Sequence, residues 1–218
     1  MQRDCKRHPI KPHDKSHLLN NTVCEPGGYL ESQGYSVEPA RAIIPKIQSL
    51  LEAFRSFGFT VYHTREGHRP DLSTLSSREQ QRSKKFSAVG GIGDKGPLGR
   101  LLVRGEPGHD IIPELYPLPN EPIIDKPGKS AFQYTDLRLL LDVKGVKNLV
   151  ICGVTTDVCV STTMRDANDM GFDCLLVSDA CAAGLQELHE AAVKMVVQEG
   201  GIFGAVTTTD AILEKIGF

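Results

Sequence analysis

Between Pro39 and Phe57 apolar residues recur as Ile43, Ile44, Ile47, Leu50, Leu51 and Phe54, a spacing that predicts a helix packed by one face. Gly58 ends that pattern, and Phe59 to His63, β-branched and aromatic, predicts a short strand with Phe59 and Val61 on one face. Glu66 to Glu106 is irregular and rich in Ser, Arg, Gly and Pro, as expected of a functional excursion at the sheet edge. Helix and strand signals then alternate: strand Pro122 to Asp125, helix Thr135 to Val143, strand Asn148 to Cys152, helix Asp157 to Asn168 and strand Cys174 to Val177. A helix from Glu187 to Gln198, a strand from Ile202 to Val206 and a helix from Asp210 to Lys215 complete the series. The runs Leu149-Val150-Ile151-Cys152 and Cys174-Leu175-Leu176-Val177 are apolar without alternation, as in parallel strands covered on both faces. The pattern predicts an α/β fold, a three-layer sandwich with a mostly parallel central sheet. In such folds ligands sit beyond the carboxyl ends of the strands.

Composition narrows the function. A chain of 218 residues suits a single domain, and a net charge of -2 with 24% charged residues indicates neither disorder nor a polyanion-binding surface, so nucleic acid is not an expected partner. The longest apolar runs fall short of the roughly 20 residues a membrane-spanning helix needs, so no membrane passage is expected. Met1 to His8 lacks the charged-then-apolar order of a secretory signal, and the expected compartment is the reducing cytoplasm. The six cysteines contain no C-x-x-C pair and no zinc-like Cys/His spacing; Cys152 and Cys174 read as small buried hydrophobes. Lys6 to Thr22 reads as irregular, and Pro9 and Pro12 keep His8, His13 and His17 off a shared helical face, so no metal site is expected there. Gly91-Ile92-Gly93-Asp94-Lys95-Gly96 fits G-x-G-x-x-G, but no convincing strand precedes it and Pro97-Leu98-Gly99 opens no strong helix, so a dinucleotide is not expected.

Two strand ends carry the candidate chemistry. One is Ile124-Asp125-Lys126-Pro127-Gly128-Lys129-Ser130-Ala131-Phe132; the other is Cys152-Gly153-Val154-Thr155-Thr156-Asp157-Val158-Cys159-Val160. In the second, a buried strand enters a glycine-containing turn and then a helix whose first turn holds Cys159, with Asp157 or Thr156 available to cap it. A thiol at a helix start feels positive potential and orphan amides, which favour thiolate, and an ammonium such as that of Lys126 would favour it further. Backbone amides near Thr155 and Cys159 would form an oxyanion hole, in which loss of one donor costs ~3 kcal/mol in the barrier. Taken alone, Cys159 would read as a core cysteine on a buried helix; the surrounding pattern sets it apart.

Gly153 to Val160, followed by Thr162-Thr163-Met164-Arg165-Asp166-Ala167-Asn168, resembles the nucleophile segment of the isochorismatase-like cysteine hydrolases. Asp125 to Phe132 resembles the lysine segment of that family. Gly105-Glu106-Pro107-Gly108, Ile112-Pro113-Glu114-Leu115 and Gly200-Gly201-Ile202-Phe203-Gly204-Ala205-Val206 are similar to the branch containing biuret and ureidoacrylate amidohydrolases. The resemblance runs from about Cys24 to the C-terminus. It implies an isochorismatase-like, Rossmann-type topology and a Cys, Lys and Asp triad, with Cys159 as nucleophile and Lys126 as the cation that steadies thiolate and tetrahedral intermediate. The implied reaction opens a C–N bond of a small ureide or amide, of biuret, ureidoacrylate or N-carbamoyl type, through a thioester, without metal or organic cofactor. Homo-oligomers are common among such relatives and are expected here. Glu199, where the branch often has glutamine, is expected to accept hydrogen bonds from substrate N–H groups. Lys129 and the stretch His63 to His68 are expected to contact a polar substrate.

The third member of the triad departs from the pattern. In the family it is an Asp at the end of the first strand, directly before Met-Gln. This chain opens on Met1-Gln2-Arg3-Asp4, and Lys6 to Val23 intervene before Cys24-Glu25-Pro26-Gly27-Gly28-Tyr29-Leu30 resumes the family pattern. The expectation is that the N-terminal strand and the acid are missing. Residues 1–23 would then be an irregular or aberrant segment from a truncated or misassembled reading frame, and residues 24–218 the hydrolase domain. Loss of a central strand would leave ladder partners unpaired and a void costing several kcal/mol, and loss of the acid would slow catalysis about 10²- to 10⁴-fold. Asp4, with no strand to position it, is a poor substitute. The leading expectation is a cysteine-dependent amidohydrolase. The alternative is a truncated or catalytically impaired member that only binds ligand or partners an intact subunit.

Overall fold

In the computed structural model, which describes residues 25–85, 87 and 89–218 together with the backbone of 15–20, the first element is a strand, β1 (Lys15–Asn20). Helices α1 (Tyr29–Ser32), α2 (Glu38–Ala42) and α3 (Ile44–Ser56) lead to β2 (Thr60–Glu66). The excursion that follows contains α4 (Ser77–Lys84) and a small antiparallel pair, β3 (Lys95–Gly96) and β4 (Gly99–Arg100). Then come β5 (Ile123–Lys126), α5 (Leu137–Val143), β6 (Asn148–Val154), α6 (Ser161–Asp169), β7 (Asp173–Ala182), α7 (Gln186–Val196), β8 (Ala205–Thr207) and α8 (Thr209–Ile216).

The apolar stripe of the long helix is buried throughout, from Ile43 to Phe54. The sequence predicts one helix there; the chain forms two, because Pro45 has no N–H to give a preceding turn and suits the first turn of a new helix. Gly58 closes α3 at φ 67, a left-handed conformation that lets Phe59 N–H bond to the Phe54 carbonyl at 2.9 Å. Phe54 is fully buried and its ring lies 4.9 Å from that of Phe59. Phe54→Ala is therefore expected to cost about 3–5 kcal/mol of stability, read as a lowered urea midpoint with unchanged slope; a cost below about 1 kcal/mol would contradict this packing.

Six strands form one sheet in the order β5-β2-β1-β6-β7-β8, and every neighbouring pair is parallel. Leu149 to Val154 of β6 are all buried, as its unbroken apolar run predicts. The α/β expectation holds. None of the described helices is long and apolar enough to cross a membrane.

The expected gap at the N-terminal strand is corrected. Lys15–Asn20 lies between β2 and β6, with Ser16 opposite both Thr60 and Leu149 and Asn20 opposite Thr64. The segment Lys-Ser-His-Leu-Leu-Asn has no strong period of its own. Its place is set by the backbone donors and acceptors of two neighbours, which any residue but proline can pair. The irregular segment expected over 1–23 thus contains a sheet strand, whereas Asp4, Cys5, His8, His13 and Cys24 lie outside the described residues. The G-x-G-x-x-G stretch forms a turn leading into β3; Asp94 accepts from Gly91 N–H and no helix follows, so the geometry of a dinucleotide loop is not built.

Candidate active site

Two neighbouring strands end side by side. Glu66, the last residue of β2, is the register partner of Lys126, the last of β5, and Gly67 N–H bonds to the Lys126 carbonyl at 2.9 Å. Side chains of directly opposed residues leave the same face of a sheet, so the ammonium and the carboxylate meet: Lys126 Nζ lies 3.2 Å from Glu66 Oε2 and donates to the Gly128 carbonyl at 2.9 Å. One residue back, Arg65 pairs with Asp125 and Asp110, away from this site.

The third strand end supplies the sulfur. β6 runs to Val154, and the chain then makes a single wide π-type turn over Thr156–Val160 before α6. Val160 N–H reaches back to the Thr155 carbonyl at 3.1 Å. Such turns are concentrated at functional sites. The predicted helix thus begins a turn late, and neither Asp157 nor Thr156 caps it. The Thr156 hydroxyl instead pairs with His189 Nδ1 at 2.9 Å, and its carbonyl accepts from the Ser161 hydroxyl at 2.7 Å. The wide turn carries Cys159 Sγ to 3.4 Å from Lys126 Nζ and 3.4 Å from Glu66 Oε2.

Electrostatics corrects a second expectation. The helix start and Lys126 were expected to hold Cys159 as thiolate. Burial pushes the thiol up, to about 11, because the pull of Lys126 is opposed by the Glu66 carboxylate. Burial also opposes charge on Glu66, but Lys126 and Lys129 outweigh it and hold the carboxyl below its ordinary value. For Lys126, burial is outweighed by Cys159 and Glu66, which raise it. At neutral pH the resting site is an ammonium, a carboxylate and a neutral thiol that donates to Glu66 Oε2.

Cys159 and Glu66 line a cavity of about 310 Å³ together with Tyr29, Tyr35, Arg82, Lys129, Thr155 and Asp157 among others, and the buried Lys126 lies behind them. A family model described as "Isochorismatase domain" matches residues 19–211. The chain belongs to the isochorismatase family. The "Ureidoacrylate amidohydrolase RutB" of Azorhizobium caulinodans is 31% identical over 192 residues, 87% of this chain and 83% of that protein. The protein of the same description from Acinetobacter baylyi is 28% identical over 197 residues, 89% of this chain and 79% of its own. A solved cysteine hydrolase from Pseudomonas syringae pv. phaseolicola has a TM-score of 0.81 at 26% identity, over 100% of this chain and 99% of that one. The N-carbamoylsarcosine amidase of Thermoplasma acidophilum shares the fold, with a TM-score of 0.69 at 19% identity over 90% and 97% of the two chains.

In this isochorismatase-family hydrolase the two strand ends singled out in the sequence do come together, bringing Cys159, Lys126 and Thr155 to one place. Lys129 also lines the cavity, but its ammonium is engaged by Glu79 and lies 3.8 Å from Glu66 Oε1. Glu199 does not reach the cavity. It is exposed in the turn Gln198–Gly200 with φ 52, so its position does not support the substrate contact expected of it. Within His63 to His68 only Glu66 lines the cavity, while His63 pairs with Glu121 and His68 with Thr74. Sequence reasoning passed over Arg82, Tyr29 and Tyr35, which come from the excursion and from the segment around α1. Asp157 was considered only as a cap; its Oδ1 is buried with no hydrogen-bond partner among the described residues. No group of three or more His, Cys, Asp or Glu side chains among the described residues is arranged to hold a metal ion. Cys152 and Cys174 are buried, as predicted.

Proposed function

We propose that the chain is a cysteine-dependent amidohydrolase that opens a C–N bond of a small ureide or amide through a thioester on Cys159. The observation that carries the reading is a cysteine that lines the cavity, its sulfur 3.4 Å from a buried ammonium. A cavity of about 310 Å³ suits a substrate of a few heavy atoms up to a small ureide. The ammonium of Lys126 stabilises negative charge on sulfur and on the tetrahedral intermediate, and backbone amides at Thr155 and Cys159 are the candidate oxyanion donors. Asp157, whose side chain lines this cavity, takes over the role first expected of Glu199, accepting substrate N–H. Lys129 and Arg82 complete a polar wall. The curated relatives described as ureidoacrylate amidohydrolases favour a ureide over a plain amide.

The reading is tested by incubating the purified protein with ureidoacrylate, biuret and N-carbamoyl amino acids and measuring ammonia. Release that disappears in Cys159→Ala supports it. A second reading, a member that binds without turnover, is favoured by one observation: β1 (Lys15–Asn20) carries no carboxylate, although the family resemblance assigns its acid to that strand. Binding of a ureide without ammonia release would decide for it.

A further inference from the structure

The sulfur, the ammonium and the carboxylate form a nearly equilateral triangle with sides of 3.4, 3.4 and 3.2 Å. Its third corner, Glu66, is not a loop residue drawn in by chance. It ends β2, its backbone is held in register with Lys126, and β2 is the immediate neighbour of β1, whose segment Lys15–Asn20 has no acid. The carboxylate makes two contacts through one oxygen: it accepts the Lys126 ammonium and the Cys159 thiol at Oε2, while Lys129 approaches Oε1. A neutral thiol held beside a carboxylate that accepts its proton is the arrangement of a nucleophile with its general base.

We propose that Glu66 is the proton carrier of this site, the acid and base of the amidohydrolase reaction read above. The inference rests on that reading. In acylation, the thiol proton passes to Glu66 Oε2 while the sulfur lone pair forms the S–C bond and the carbonyl π pair moves onto oxygen. Collapse reforms the carbonyl and breaks C–N, and the proton on Glu66 goes to the departing nitrogen, which leaves as ammonia or amine. In deacylation, water gives a proton to Glu66 as its oxygen attacks the thioester. Collapse then breaks C–S, and Glu66 returns the proton to sulfur. One proton is carried out and one back in each half-reaction, so the carboxylate ends as it began. Lys126 keeps its proton throughout and offsets the charge on sulfur and oxygen. Among the described residues, the charged and titratable side chains around Glu66 are Lys126, Cys159 and Lys129, with Glu79 behind Lys129 and with Tyr29 and His68 felt at longer range.

Two measurements on the full chain test this. The first needs no substrate: the rate of Cys159 alkylation by iodoacetamide against pH. In the native protein the midpoint should lie high, near 11. In Glu66→Gln it should fall by about one unit or more, because a carboxylate that holds the thiol proton has gone. The second is turnover. At pH 7 Glu66→Gln should lose about 10²- to 10⁴-fold in kcat while alkylation at the same pH becomes faster, and the deficit should shrink as pH rises and thiolate forms unaided. A side chain that merely packs the site would lower both rates together. Glu66→Asp, which keeps the acid one methylene away, should recover part of the activity and serves if the glutamine variant does not fold. An unmoved alkylation midpoint, or turnover within about threefold of native, overturns the proposal. If the native protein releases no ammonia from any ureide, it is the amidohydrolase reading that fails. The alkylation midpoints still decide whether Glu66 holds the Cys159 proton.

Discussion

Cys159→Ala is expected to reduce ammonia release by about 10⁴-fold or more while leaving the protein folded. The loss is large because, among the described residues, no other cysteine lines the cavity. Lys126 is raised and stays an ammonium, and the remaining described cysteines, Cys152, Cys174 and Cys181, are buried. Stability should change by no more than about 1 kcal/mol, since Cys159 is only half-buried and its removal leaves the Lys126–Glu66 pair and its hydrogen bonds in place. Ligand affinity, measured calorimetrically with a ureide that the native enzyme turns over, should survive. A variant that keeps more than a tenth of native turnover would show that the sulfur is a structural group and would remove the basis of the mechanism.

Lys126→Met is expected to abolish turnover and also to destabilise the fold by about 3–5 kcal/mol. The Lys126 side chain is 1% exposed and that of Glu66 11%. Methionine fills a similar volume but leaves a buried carboxylate without the ammonium at 3.2 Å, and Lys129 at 3.8 Å is already engaged by Glu79. The cost is that of an uncompensated charge, so it should be relieved when the charge is removed as well. Lys126→Met combined with Glu66→Gln should recover much of the lost stability and none of the activity. Urea unfolding of the two single variants and the double variant gives the coupling directly. Equal stability of native protein and Lys126→Met would show that the pair is not held together as described.

The candidate site was legible where chemistry and local order coincide. Cys159 follows a buried strand and a glycine turn, and Lys126 closes another strand, so both could be marked as strand-end residues from the chain alone. Glu66 also closes a strand, but its stretch was weighed only for substrate contact. Nothing local distinguishes it from Arg65, which faces the other way and pairs with Asp125 and Asp110. The difference between these neighbours is a matter of register with β5. The protonation of Cys159 was misread for a related reason: helix position and Lys126 can be inferred along the chain, whereas burial and an opposing carboxylate cannot. β1 was missed because Lys15–Asn20 has no period of its own and is recruited by the backbone edges of β2 and β6.

By itself the sequence determined the α/β class, the buried parallel strands β6 and β7, the packed face of α3 and the family to which the chain belongs. Each of these depends on the order of residue types along a short segment, where burial and period leave a direct imprint. The tertiary structure alone decided that Lys15–Asn20 completes the sheet, that Glu199 stays outside the cavity and that Glu66 touches both Cys159 and Lys126. Those outcomes depend on which strands become neighbours and in what register, and hydrogen bonding between distant backbone segments sets that without leaving a local pattern.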